Sequence, residues 1–191
     1  MSKFQQVAFT PRVLAAQQAA YGRTYAVDPE AGRDPLGPDE VAFVEARDSF
    51  YLASVTESGW PYVQHRGGPP GFLRALDAHT LAFADLRGNR QLVTVGNLAT
   101  NDRVALILVD YPARRRLKIL AHAEVLTREQ APELLELLAA PAQRRHVERL
   151  LRLHVVGFDW NCPQHITPRY TQAEVEAYVS ERLAREAGGA A

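Results

Sequence analysis

Apolar residues change their spacing several times along this chain, and each change marks a new element. Residues 11 to 21, PRVLAAQQAAY, read as a helix with proline in its first turn. The polar stretch VDPEAGRDPLGPDE reads as a loop. PDEVAFVEARDS returns to helical spacing, with Val41, Phe43 and Val44 inward and acids in the first turn. From residue 49 the spacing changes: SFYLASVT, a turn at ESGWP and then YVQHR form a hairpin, with Gly59 and Pro61 in the connection. After GGPPG, FLRAL and LAFAD form a second hairpin around DAHT. A helix is expected from Asn89 to Leu98, followed by RVALILVD, a strand apolar enough to be buried on both faces. RRLKILAHAEVL alternates as its antiparallel partner across YPAR. Thr127 is placed to cap a helix over REQAPELLELLAA. AQRRHVERLL is either a charged helix or the beginning of a strand, and it leads into LHVVGFDW. The final helix, about residues 171 to 187, is capped by Thr171. Antiparallel strands with helices inserted between them imply an α+β fold with a barrel-like sheet.

Composition narrows the function classes. The chain has 191 residues, long enough for one domain with a sizeable core, and the whole of 1–191 is read as one. Its 22 basic residues balance 22 acidic ones, so no overall field favours nucleic acid or a membrane surface. RRR at 114 to 116 reads as a solvated hairpin tip, since no aromatic interleaves it. Cys162 is the single cysteine, which leaves no internal disulfide or cysteine-based zinc site. No apolar run reaches the roughly 18 residues of a membrane span, and the first twenty residues lack a signal peptide's apolar core, so a cytoplasmic protein is expected. The histidines lack ligand spacing, and no metal site is expected. GxGxxG, GxxxxGK[ST] and G-x-S-x-G are all missing, which removes the dinucleotide fold, the P-loop and the serine-hydrolase elbow.

Three clusters could carry chemistry. Gly88, Asn89, Arg90 and Gln91 stand where a strand hands over to the expected helix. Free N–H groups, the helix dipole and a guanidinium would hold an anion there; a plain turn with an N-cap explains the same residues. In PYVQHRGGPPGF, strand alternation puts Gln64 and Arg66 on one face and His65 on the other, and the glycines that follow expose backbone to a flat ligand. An irregular loop with a solvated arginine is the plainer account. WNCPQHITPRY gathers Trp160, Cys162, Gln164, His165 and Arg169 in a proline-broken segment, a binding surface or a self-satisfied loop. His165 beside Cys162 matches no known thiol-enzyme signature.

In this order the clusters resemble the pyridoxamine 5′-phosphate oxidase-like family of FMN-binding split barrels. The resemblance runs from about Val41 to Val125 through QHRGGPPGF, LAFAD and GNRQLVTVGNLATNDRVALILV, with FDWNCPQHITPRYT similar to the C-terminal segment of one flavin-nucleotide-binding branch. It implies a six-stranded antiparallel split β-barrel with peripheral helices, an N-terminal helical extension over about 1–37, and a homodimer with FMN at the subunit interface. Carried onto this sequence, Gln64, His65, Arg66 and Gly67 would lie along the flavin, with Ala84 and Asp85 beside them. Asn89, Arg90 and Gln91 would hold the phosphate. Lys118 and the segment with Trp160, Cys162, Gln164 and His165 would cover the ring from the second subunit. The true oxidase has an Arg-Lys pair at the phosphate turn and an arginine-rich tail that grips its substrate; this chain has Asn89-Arg90 and a single Arg169.

The function this implies is an FMN-dependent oxidoreductase acting on a small molecule, with NADH or NADPH as a candidate electron donor and His165 as a candidate proton relay. The alternative is a flavin- or haem-binding carrier or redox sensor; haem degradation, known in related split barrels, would need an iron ligand, for which His165 and His65 are the candidates. A deazaflavin in place of FMN is the third reading.

Overall fold

Strand alternation organises the molecule. The structure is a computed structural model, and it describes residues 2–188. The strands are β1 (Ser49–Val55), β2 (Pro61–Gly67), β3 (Leu73–Asp77), β4 (Thr80–Leu86), β5 (Arg103–Asp110), β6 (Arg115–Leu126) and β7 (Val147–Asn161). All pairings are antiparallel, in one sheet ordered β2-β1-β5-β6-β7-β4-β3. The sheet has seven strands rather than six, because β3 pairs with β4 and adds an edge.

The sheet curls on itself. In that order β2 and β4 are five strands apart, roughly 24 Å in a flat sheet at about 4.8 Å per step. Yet Arg66 of β2 and Asp85 of β4 touch at 2.5 Å. The inward face supplies the core: Phe50, Leu52, Leu81, Phe83, Leu106, Leu108, Leu117, Ile119, Leu151 and Leu153 are all buried. Phe50 sits between the rings of Phe72 and Phe83, at 5.6 and 5.3 Å, and joins the two ends of the sheet from inside. β5 differs from its expected burial on both faces. Val104, Leu106 and Leu108 are buried, but Ala105, Ile107 and Val109 are only half covered, because they face outward.

The helices are α1 (Lys3–Ala8), α2 (Pro11–Tyr21), α3 (Pro38–Glu45), α4 (Val93–Leu98), α5 (Pro132–Leu138) and α6 (Gln172–Gly188). α2, α3 and α6 match their expected positions. α1 was not read from the sequence; Ser2 and Gln5 form its capping box. α5 starts at Pro132 rather than after Thr127, since Thr127 and Gln130 close a separate turn by mutual side-chain bonds. AQRRHVERLL resolves into a short 3₁₀ turn at Arg144–His146 and the start of β7. The RRR tip is only partly solvated: the Arg115 guanidinium lies over the rings of Trp160 and Phe43, at 4.6 and 5.2 Å. Among the described residues no helix is long and apolar enough to cross a membrane.

Asp34 ties the N-terminus to the barrel. Its carboxylate accepts from the backbone N–H groups of Lys3, Phe4 and Phe158, at 2.7, 3.0 and 3.2 Å. The approach requires glycine at 157, because a Cβ there would meet the Phe4 backbone and lie 2.6 Å from Asp34 Oδ2. Gly157→Ala should therefore release α1 at a cost of roughly 1–3 kcal/mol, while β6 and β7 stay paired. Amide exchange should speed up in residues 3–8; unchanged protection there would remove the clamp.

Candidate functional site

Three separated stretches of sequence meet in one cavity of about 200 Å³ at the end of the barrel. β2 contributes Tyr62, Gln64 and Arg66, whose alternate spacing turns all three toward the interior. β4 contributes Asp85, and the connection after it contributes Gly88 to Leu92. α4 lines the floor from Val93 to Val95, and β7 closes the wall with Glu148 and Arg149.

The electrostatic centre is Asp85, which is 7% exposed. It accepts from Arg66 Nη1 at 2.5 Å and from Arg149 Nη1 at 2.9 Å. Arg149 stands directly opposite Asp85 in the β4–β7 ladder and donates its other nitrogen to Glu148 at 2.8 Å. A buried carboxylate needs this pairing, because desolvation of a lone charge costs several kcal/mol. Beside the triad, Thr94 donates to Gln64 Oε1 at 2.9 Å, and Asn97 donates to Ser54 at 2.8 Å. α4 is thereby pinned to β1 and β2.

Two donors in the cavity are not used by the protein. Arg66 Nε is buried with no hydrogen-bond partner. Arg90 has no carboxylate partner among the described residues, whereas Arg66 and Arg149 are both paired with acids. The turn bearing Arg90 also differs from the expected helix over 89–98. Arg90 and Leu92 both have left-handed backbones, with φ of 61° and 55°, and these interrupt any helix before Val93. Asn89 instead bonds the Gln91 N–H at 3.2 Å, as asparagine does in turns. Residues 88–91 form an exposed loop at the cavity rim, not a helix start.

Of the residues singled out in the sequence, the structure brings together Gln64, Arg66, Asp85, Gly88, Asn89, Arg90 and Gln91. The others lie elsewhere in the same chain. His65 faces outward, its ring 5.5 Å from that of Tyr51. Gly67 ends β2, exposed and outside the cavity lining. Ala84 points away from Asp85 and packs on the cluster around Leu126 and Leu150. Lys118 pairs with Asp159 at 3.1 Å and lies over Phe4. Trp160 packs on Phe43 and donates to Glu40 at 2.7 Å. Cys162, Gln164 and His165 are exposed beyond β7, with His165 at φ 64°.

Four polar cavity residues were missed. Tyr62 was within reach, since it shares the spacing of Gln64 and Arg66. Thr94, Glu148 and Arg149 depend on the pairing of distant strands and on where α4 docks.

A family model described as pyridoxamine 5′-phosphate oxidase matches residues 36–158. The chain belongs to the pyridoxamine 5′-phosphate oxidase family. The match runs from the end of the N-terminal loop to Phe158 in β7 and includes every cavity residue. A putative pyridoxamine 5′-phosphate oxidase from Lactobacillus delbrueckii is similar at 21% identity and a TM-score of 0.52, over 66% of this chain and 94% of its own. HupZ of Group A Streptococcus is similar at 16% identity and a TM-score of 0.52, over 71% of this chain and all of its own (100%). Both likenesses are of fold, the split barrel that the sequence resemblance implied. No curated protein sequence matches.

The triad makes a stability prediction of its own. Arg66→Ala leaves Asp85 with one guanidinium and should lower unfolding stability by roughly 1–3 kcal/mol. Urea titration would show it; an unchanged midpoint would mean that the triad does not hold the barrel closed.

Proposed function

We propose that this cavity binds FMN and that the protein is an FMN-dependent oxidoreductase acting on a small molecule, with the flavin at a homodimer interface. The carrying observation is Arg90, a guanidinium without a carboxylate partner on an exposed rim loop, beside a cavity whose other arginines are already paired with acids. A phosphate group supplies the missing counter-charge, and the 88–91 loop that would receive it is exposed. Deeper in, Gln64 and the buried Arg66 Nε–H offer the directional donors that a ring carrying carbonyl and nitrogen acceptors requires. Bound there, a flavin supplies two-electron transfer. The protein's part is to hold the phosphate on Arg90, orient the ring against β2, and keep positive charge beside it through Arg66.

A cavity of about 200 Å³ is smaller than the roughly 300–1,000 Å³ of a complete small-molecule site. A second chain completing it accounts for that, and the outer face, with exposed Tyr51 and Val63 and half-covered Ile107, gives that chain an apolar surface to meet. In such a dimer Lys118 and the Trp160–His165 segment of one chain would cover the flavin of the other. His65 faces away from the cavity, which favours flavin over haem at this site.

The purified protein should show flavin absorption bands or acquire them on adding FMN. No bands and no uptake would sink this reading. Reoxidation of the bound flavin after reduction by NADH or NADPH separates an enzyme from a carrier. Arg90→Ala should weaken FMN binding about ten- to a hundred-fold, the value of roughly 1.5–3 kcal/mol for a charge-assisted bond. An unchanged dissociation constant would place the phosphate elsewhere. Light scattering should give a dimer mass for the loaded protein, and a monomer retaining FMN would contradict the interface site.

A further inference from the structure

The cavity holds five charged groups, and one carboxylate, Asp85, bridges two of them. Arg66, Arg90 and Arg149 face Asp85 and Glu148, three positive against two negative. Arg90 stands apart at the rim. The other four form a chain, Arg66–Asp85–Arg149–Glu148, with links of 2.5, 2.9 and 2.8 Å. Within it Asp85 divides its charge between two guanidiniums, and Glu148 offsets the second. Arg66, at the end of the chain of pairs, is therefore a cation whose field is partly cancelled by Asp85.

We propose that Asp85, Arg149 and Glu148 are positioning residues that act through Arg66 and tune the redox balance of the flavin. This rests on the flavin reading above. Reduction adds two electrons and one proton to the ring and leaves one negative charge on it, so positive charge nearby favours the reduced form. Asp85 restrains that preference by neutralising Arg66, and Arg149 relieves the restraint by drawing part of Asp85's charge to itself. Their substitutions must then act in opposite directions. Losing Asp85 leaves both guanidiniums uncompensated and strengthens the field. Losing Arg149 leaves Asp85 wholly on Arg66 and weakens it. Loss of Glu148 acts like loss of Asp85, more weakly, because it lies one link further away.

The test compares affinities for oxidised FMN and for FMN reduced beforehand with dithionite, measured anaerobically. A unit charge in a partly buried site shifts such a ratio by about tenfold. Asp85→Asn should raise the preference for reduced over oxidised FMN by about that factor, and Arg149→Gln should lower it similarly. Glu148→Gln should raise it a few-fold; it sits at the cavity wall, so the pair Glu148→Gln and Arg149→Gln carries the test if Asp85→Asn does not fold. A purely structural role would weaken both redox forms together. Ratios that stay at the wild-type value or move in the same direction, in variants that still bind FMN, would overturn the proposal and leave the flavin reading standing. Wild-type protein that binds neither form would overturn both.

Discussion

One buried carboxylate joins three strands that the chain visits far apart. Asp85 of β4 holds Arg66 of β2 and Arg149 of β7, and β2 and β4 reach it from opposite ends of the sheet. Without a partner for this charge the sheet would have no polar reason to curl; with it, the curl encloses the aromatic contact of Phe50 with Phe72 and Phe83. The same contact shapes the cavity, because the two guanidiniums form its walls. Closure and site are one arrangement, and the family match covers all of it.

The division of charge follows from this. Arginines used in closure are partly compensated by the acids that use them, so less of their charge is free for a ligand. Arg90, on a loop with no part in closure, keeps its own. Its left-handed backbone and that of Leu92 cost of order 1–3 kcal/mol each, strain that the surrounding structure maintains and that clusters at binding sites.

Much of this was legible in the sequence, for identifiable reasons. Strand alternation separates Gln64 and Arg66 from His65 directly, and it separates Asp85 from Ala84 in the same way, although the resemblance placed all of them along one ligand. The Gly88–Gln91 stretch stands out in the sequence, and it lines the cavity rim. Its backbone conformation does not stand out, since nothing in Asn-Arg-Gln-Leu signals two left-handed residues, and helical spacing in VTVGNL drew the expected helix four residues too early. Arg149 and Glu148 were invisible because a single register, Asp85 opposite Arg149, decides their place. α1 escaped because its docking depends on Asp34 and Gly157, polar and small residues with no periodic signature.

The most direct measurement of the central claim is a crystal structure of the protein grown with FMN. The phosphate should lie within hydrogen-bond distance of the Arg90 guanidinium and the Asn89–Gln91 backbone, with the ring against Gln64 and Arg66 and the Asp85 pairs intact. A phosphate bound away from this loop, or a flavin that breaks the Arg66–Asp85 pair to enter, would contradict the account.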